Sequence, residues 1–135
     1  MRAVYILGDF SEVEIAGHDD EWAAFALCLE QGAADIDCEI AYDPAPYSAG
    51  ARKIHLVAAP GEKVRFAVDR DRNVAISGDP GLLQVLSRTV ANFARDFNEG
   101  EHIHVDYQGD EHFIGQDSTP TVLFHLGRST RTRNR

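Results

Sequence analysis

The chain has 135 residues, 44% of them hydrophobic and 26% charged, and its 13 basic and 22 acidic side chains give a formal net charge of −9. That length suits one domain with its own core, the composition is that of a globular protein, and the negative field disfavours nucleic acid and anionic membranes as partners. Neither a secretory leader nor an apolar run of membrane-spanning length is expected, and a cytoplasmic location, which reduced thiols would fit, is the expectation.

Ala3 to Leu7 reads as a strand, Gly8-Asp9 as a turn and Glu12 to Ala16 as a second strand. A helix opens at Gly17-His18-Asp19-Asp20, with Asp19 or Asp20 as its cap. It carries Trp22, Phe25, Ala26 and Leu29 as an apolar stripe and stops at Gly32. Cys38, Ile40 and Tyr42 alternate with polar or small residues as a half-buried strand. Pro44, Pro46 and Gly50 mark a loop, and Lys53 to Ala58 is the next strand. Val64, Phe66 and Val68 alternate in a further strand, Asp69 to Asn73 turns the chain, and Val74 and Ile76 lie in the strand after it. Asp79-Pro80 starts a second helix, a capping carboxylate followed by proline at the first helical position. Its stripe is Leu83, Leu86, Val90, Phe93 and Phe97, and Gly100 ends it. Ile103, Val105 and Tyr107 alternate with His102, His104 and Asp106. A turn-rich loop then leads to a last strand, Thr121 to Leu126.

The order repeats. V-E-I-A-G at Val13 recurs as V-A-I-S-G at Val74, and the same 61-residue offset carries Trp22 onto Leu83, Phe25 onto Leu86 and Leu29 onto Val90. Ile54-His55-Leu56 matches Phe124-His125-Leu126 at an offset of 70. Residues 1–60 and 61–127 are therefore expected to be two strand-strand-helix-strand-strand units in a single α+β domain, packed about a pseudo-twofold axis. The expected architecture is a mostly antiparallel sheet, one continuous sheet in its simplest form, with both helices on one face. Residues 128–135 carry four arginines and no large apolar side chain and are expected to form a disordered tail. Nine basic against 22 acidic side chains precede that tail. Cys28 and Cys38 fall on apolar positions and are expected to be buried, reduced thiols.

Candidate chemistry is sparse. His102 and His104 lie two apart on a strand and so share a face, with Asp106 continuing the row; His125 joins them if the strand register allows. Three imidazoles and a carboxylate can bind zinc, although strand alternation calls for polar residues there in any case. The serines occupy no nucleophile-elbow context, and Gly78-Asp79-Pro80-Gly81 opposes rather than cradles a phosphate. No catalytic residue, cofactor or resident metal is assigned.

From Asn73 onward, V-A-I-S-G-D-P-G-L-L at Val74 to Leu83, H-I-H-V-D-Y at His102 to Tyr107 and D-S-T-P-T-V-L-F at Asp117 to Phe124 resemble the immunity protein 32-like family, antitoxins of bacterial polymorphic toxin systems. The resemblance covers residues 73–127. It implies a non-enzymatic protein whose partner is a cognate secreted toxin, occluded by an acidic surface. With helices on one face, the outward positions that meet such a partner are Glu12, Glu14, Asp37, Glu39 and Asp106, with His102 and His104 beside them. The competing expectations are a small metal- or ligand-binding enzyme built on the His102/His104 strand, and a general interaction module. Oligomeric state is left open.

Overall fold

The computed structural model describes residues 1, 3–6, 11–38 and 49–129. In chain order its elements are β1 (Ala3–Ile6), β2 (Val13–Gly17), α1 (Asp19–Gln31), β3 (Ala33–Asp37), β4 (Ala49–Gly50), β5 (Lys53–Ala58), β6 (Arg65–Val68), β7 (Val74–Gly78), α2 (Pro80–Asp96), β8 (His102–Val105) and β9 (Thr121–His125). The fold is α+β, and the strands divide between two sheets where one was expected. Among the described residues no helix is long and apolar enough to cross a membrane.

The division follows from the duplication. Sheet A has the order β4-β1-β2-β9-β8 and sheet B the order β3-β5-β7-β6. Each half contributes its first hairpin to one sheet and its last hairpin to the other. The halves meet at two parallel pairings, β2 with β9 and β5 with β7; the remaining pairings are antiparallel. Exchanging β1, β2, β3 and β5 with β6, β7, β8 and β9 maps one sheet onto the other. The register refines the equivalence: Val13 lies opposite Thr121, and its counterpart Val74 opposite Ile54. Thr121 is thus the counterpart of Ile54, at an offset of 67. The sequence match of His55 with His125 is three positions out, because similar tripeptides occupy different registers.

The helices obey the 61-residue offset. Trp22 and Leu83, Phe25 and Leu86, and Leu29 and Val90 are all buried in one core with the inward residues of both sheets, among them Ile15, Leu123, Ile54 and Ile76. The helices pack on each other where the Ser87 hydroxyl donates to the Ala26 carbonyl at 2.7 Å. Ser87 and Ala26 are themselves 61 apart, so the pseudo-twofold axis passes through this contact. Trp22 lies edge-on to Phe25 and Phe93 and donates its indole N–H to the Phe124 carbonyl at 3.1 Å, tying α1 to β9.

The ends of the elements show where local chemistry decides. Asp79 caps α2 as expected: its carboxylate accepts from the N–H of Gly81 and of Gly61, both at 2.9 Å, and these bonds hold its pKa below the usual value. α1 begins at Asp19, so its cap position falls to His18, whose N–H donates to Glu21 Oε1 at 3.0 Å. Asp19 and Asp20 lie inside the first turn, where their charge meets the helix dipole. Gly32, at φ 79°, turns the chain out of α1 directly into β3. That strand therefore precedes the one read at Cys38, Ile40 and Tyr42; Cys38 lies just past it, and the other two are outside the described residues. α2 stops at Asp96, with Phe97 as its C-cap, and Gly100 sits in the following turn. Past Gly127, Arg128 and the Ser129 N–H engage the Asp19 carboxylate at 3.8 and 2.9 Å, and Ser129 is buried. Thr130 to Arg135 are outside the described residues.

Two equivalent glycines test the duplication. A β-carbon on Gly78 would sit 2.9 Å from Val64 Cα, whereas one on Gly17 would meet the flexible end of Met1 at 2.5 Å. Gly78→Ala should therefore cost about 1–3 kcal/mol by overpacking against backbone, and Gly17→Ala clearly less. Phe93→Ala should cost about 3–5 kcal/mol. Urea unfolding of the three variants checks the order.

Candidate functional site

β2, β9 and β8 lie side by side in sheet A, and their register sorts the polar residues. Val13, Ile15, Leu123 and Val105 turn to the core. The opposite parity places Glu14, Val122 and His104 in one cross-strand row and Ala16, Phe124 and His102 in the next. Glu12 precedes β2 and Asp106 follows β8, so the outer face of this sheet gathers five of the seven expected partner-binding residues: Glu12, Glu14, His102, His104 and Asp106. The His102 and His104 rings lie 5.3 Å apart, edge to face, and His102 lies parallel to Phe124. His104 Nδ1 is 4.0 Å from Asp106 Oδ2, while Asp106 Oδ1 accepts from the Thr121 N–H at 3.2 Å.

Burial grades across this face. His102 and His104 are exposed on the last strand, whereas Glu14 is half-buried in the middle of the sheet. Desolvation raises the Glu14 pKa, the neighbouring Glu12 charge raises it further, and His102 partly offsets both. This carboxylate is held in a setting that disfavours its charge.

The remaining two expected residues are elsewhere. Asp37 belongs to β3 in sheet B, with its carboxylate 4.0 Å from Lys53. It is the counterpart of Asp106, each following two outward positions on an equivalent strand, and the acidic row drawn through both is split between two sheets. Glu39 lies outside the described residues. His125 does not join His102 and His104. It shares parity with Leu123, is 1% exposed, and its Nδ1 accepts from the Gly127 N–H at 2.9 Å, which puts the proton on Nε2, facing the Ala94 carbonyl. The metal-binding alternative loses its third imidazole, and among the described residues no three His, Cys, Asp or Glu side chains are grouped to hold an ion.

Sequence reasoning missed Phe124, which lay in a last strand whose faces were not assigned. Its parity, opposite to that of Leu123, is the signal that puts it on the outer face. The outer face of sheet B carries its own pairs, His55 with Asp35 at 2.7 Å and Arg65 with Asp117 at 2.9 Å. A groove of about 480 Å³ between α1 and α2, with Ala23, Leu27, Ser87 and Ala91 in its lining, shares no residue with the sheet A cluster. Cys28 and Cys38 are free and half-buried; burial pushes the Cys38 thiol up to about 11, protonated at neutral pH and unsuited to nucleophilic work. Comparison with protein-family models, curated proteins and solved structures yields no match for this chain.

The Glu14 environment gives a signed expectation. A carboxyl with a raised folded pKa binds its proton more tightly folded than unfolded, so its unfavourable contribution is complete above the folded pKa and disappears as pH falls below the unfolded one. Glu14→Gln should raise the melting temperature at pH 7, and the gap to the unmodified protein should close as pH drops through the carboxylate range. Thermal unfolding at several pH values measures it.

Proposed function

We propose that this protein is an immunity protein that binds a cognate bacterial toxin in the cytoplasm and neutralises it by occlusion rather than by chemistry. The observation that carries the reading is the gathering of Glu12, Glu14, Asp106, His102 and His104 on the outer face of sheet A, with Phe124 beside His102. The resemblance of Val74–Leu83, His102–Tyr107 and Asp117–Phe124 to immunity protein 32-like antitoxins points the same way.

The physical case rests on what this face offers a basic partner. Glu14 is partly desolvated beside a like charge, and an incoming lysine or arginine would supply the opposite charge that it lacks. Phe124 provides an apolar anchor next to it, the pairing of aromatic and charge found where a few residues dominate an interface. The net charge of −9 steers such a partner over longer range. Toxins that act on nucleic acid carry basic sites of this kind.

Coexpression with a toxic domain proposed as its partner is the test. The unmodified protein should restore growth and bind the domain with an affinity that falls as salt rises. Glu14→Lys and Asp106→Lys, once shown to fold, should each weaken binding about tenfold or more. Salt-independent binding that neither reversal alters would overturn the reading.

A further inference from the structure

The two sheets have four edges; the chain covers two of them with its own segments, and a third is blunted by charge. At the β1 edge, β4 pairs with Tyr5 and Ile6, and the Ala51 N–H donates to the Val4 carbonyl at 2.9 Å. The equivalent edge, β6, is closed by the loop before β9. Val64 bridges to Ile114, the Phe66 N–H donates to Ser118 Oγ at 2.9 Å, and the Thr119 N–H donates to the Phe66 carbonyl at 2.8 Å. At β3 the Met1 ammonium occupies the Asp37 carbonyl at 3.1 Å, and the strand carries the charges of Asp35 and Asp37. β8 ends sheet A, and among the described residues nothing pairs with its outer side.

The hydrogen-bond pattern says which backbone groups point there. The Val13 N–H donates to the Pro120 carbonyl and the Leu126 N–H to the Gly17 carbonyl, so the even-numbered residues of β9 address β2. The His125 N–H donates to the Glu101 carbonyl, so the odd-numbered ones address β8. Opposite pairs alternate in an antiparallel ladder, hence Ile103 and Val105 bond to β9 while the N–H and C=O groups of His102 and His104 turn outward. Their side chains stand on the same face as Glu12, Glu14 and Asp106. Unpaired edges are usually blunted by lysine, proline or a covering segment; His-Ile-His-Val has none of these.

We propose that the β8 edge is a docking site for an extended, basic strand of a partner protein, which continues sheet A through main-chain bonds to His102 and His104. Its alternate lysine or arginine side chains would lie on the acidic face, with Asp106 at the end of β8 nearest to them. Main-chain pairing supplies affinity and the charged row selects the partner. The acidic face beside this edge and the net charge of −9 disfavour a second copy of this chain as the occupant. The inference concerns the face used in the function proposed above, but its test needs no toxin.

The probe is an end-blocked seven-residue peptide alternating lysine and valine, titrated into the full chain and followed by amide NMR. Shifts should concentrate at His102 and His104, whose amides should also gain protection from exchange, and a glutamate-valine peptide should leave them unmoved. His104→Pro removes an outward N–H without breaking the ladder to β9 and should weaken the peptide about tenfold, the loss of about one main-chain bond. His104→Ala keeps that N–H and should weaken the peptide less than His104→Pro does. Should His104→Pro fail to fold, His102→Pro and the exchange protection of the unmodified chain carry the test. Shifts centred on β3 or the helices, equal binding by the proline variants, or self-association through β8 would overturn it. Loss of toxin neutralisation with peptide docking intact would instead count against the function proposed above.

Discussion

The parallel pairings of β2 with β9 and of β5 with β7 are the constraint from which the rest of the structure follows. Neither half of the chain can complete a sheet alone, because its first hairpin and its last belong to different ones. Both inner faces and both helix stripes must close on one core, and Ser87 against Ala26 fixes how closely the helices approach. Contacts between strands as distant as Val13 and Thr121 have to form before that core is dry. Such long-range pairing is expected to make folding slow relative to a helical bundle and to make the two halves unfold together.

The long loops follow the same logic. The segment leading to β5 returns to cover β1, and the segment leading to β9 returns to cover β6. The Ala51 and Thr119 N–H groups donate to equivalent carbonyls, Val4 and Phe66. One loop does this with a two-residue strand and the other with a bridge and a serine hydroxyl. Different sequences thus meet one demand, that an exposed ladder find partners. Among the described residues no strand or loop meets that demand at β8, which is also where the exposed histidines lie.

Much of this was legible in the residues. Recurrence of V-x-I-x-G and the spacing of Trp22, Phe25 and Leu29 against Leu83, Leu86 and Val90 depend on burial, which alternation and helical period report directly. Asp79-Pro80 announces a helix start because cap and proline act locally. Strand neighbours were not legible. Period-two alternation says which way Asp37 and Asp106 face but not that they face out from different sheets, and this divided the acidic row. The parity of His125 with Leu123 was available and placed it in the core, yet its polarity suggested the wet face. A neutral tautomer with both ring nitrogens engaged is what lets it sit there.

The pseudo-twofold axis has a consequence for what each outer face can become. In a symmetric dimer of identical ββαββ chains the two outer sheet faces would be copies, and any residue suited to one task would appear twice. Joining the units in a single polypeptide lifts that identity while keeping the geometry. Glu14, Val122 and His104 stand across sheet A where Ala75, His55 and Asp35 stand across sheet B. Phe124 occupies the place of Val57, and His102 that of Ala33. One scaffold therefore presents two differently furnished platforms, free to specialise separately while the shared interior holds both in shape.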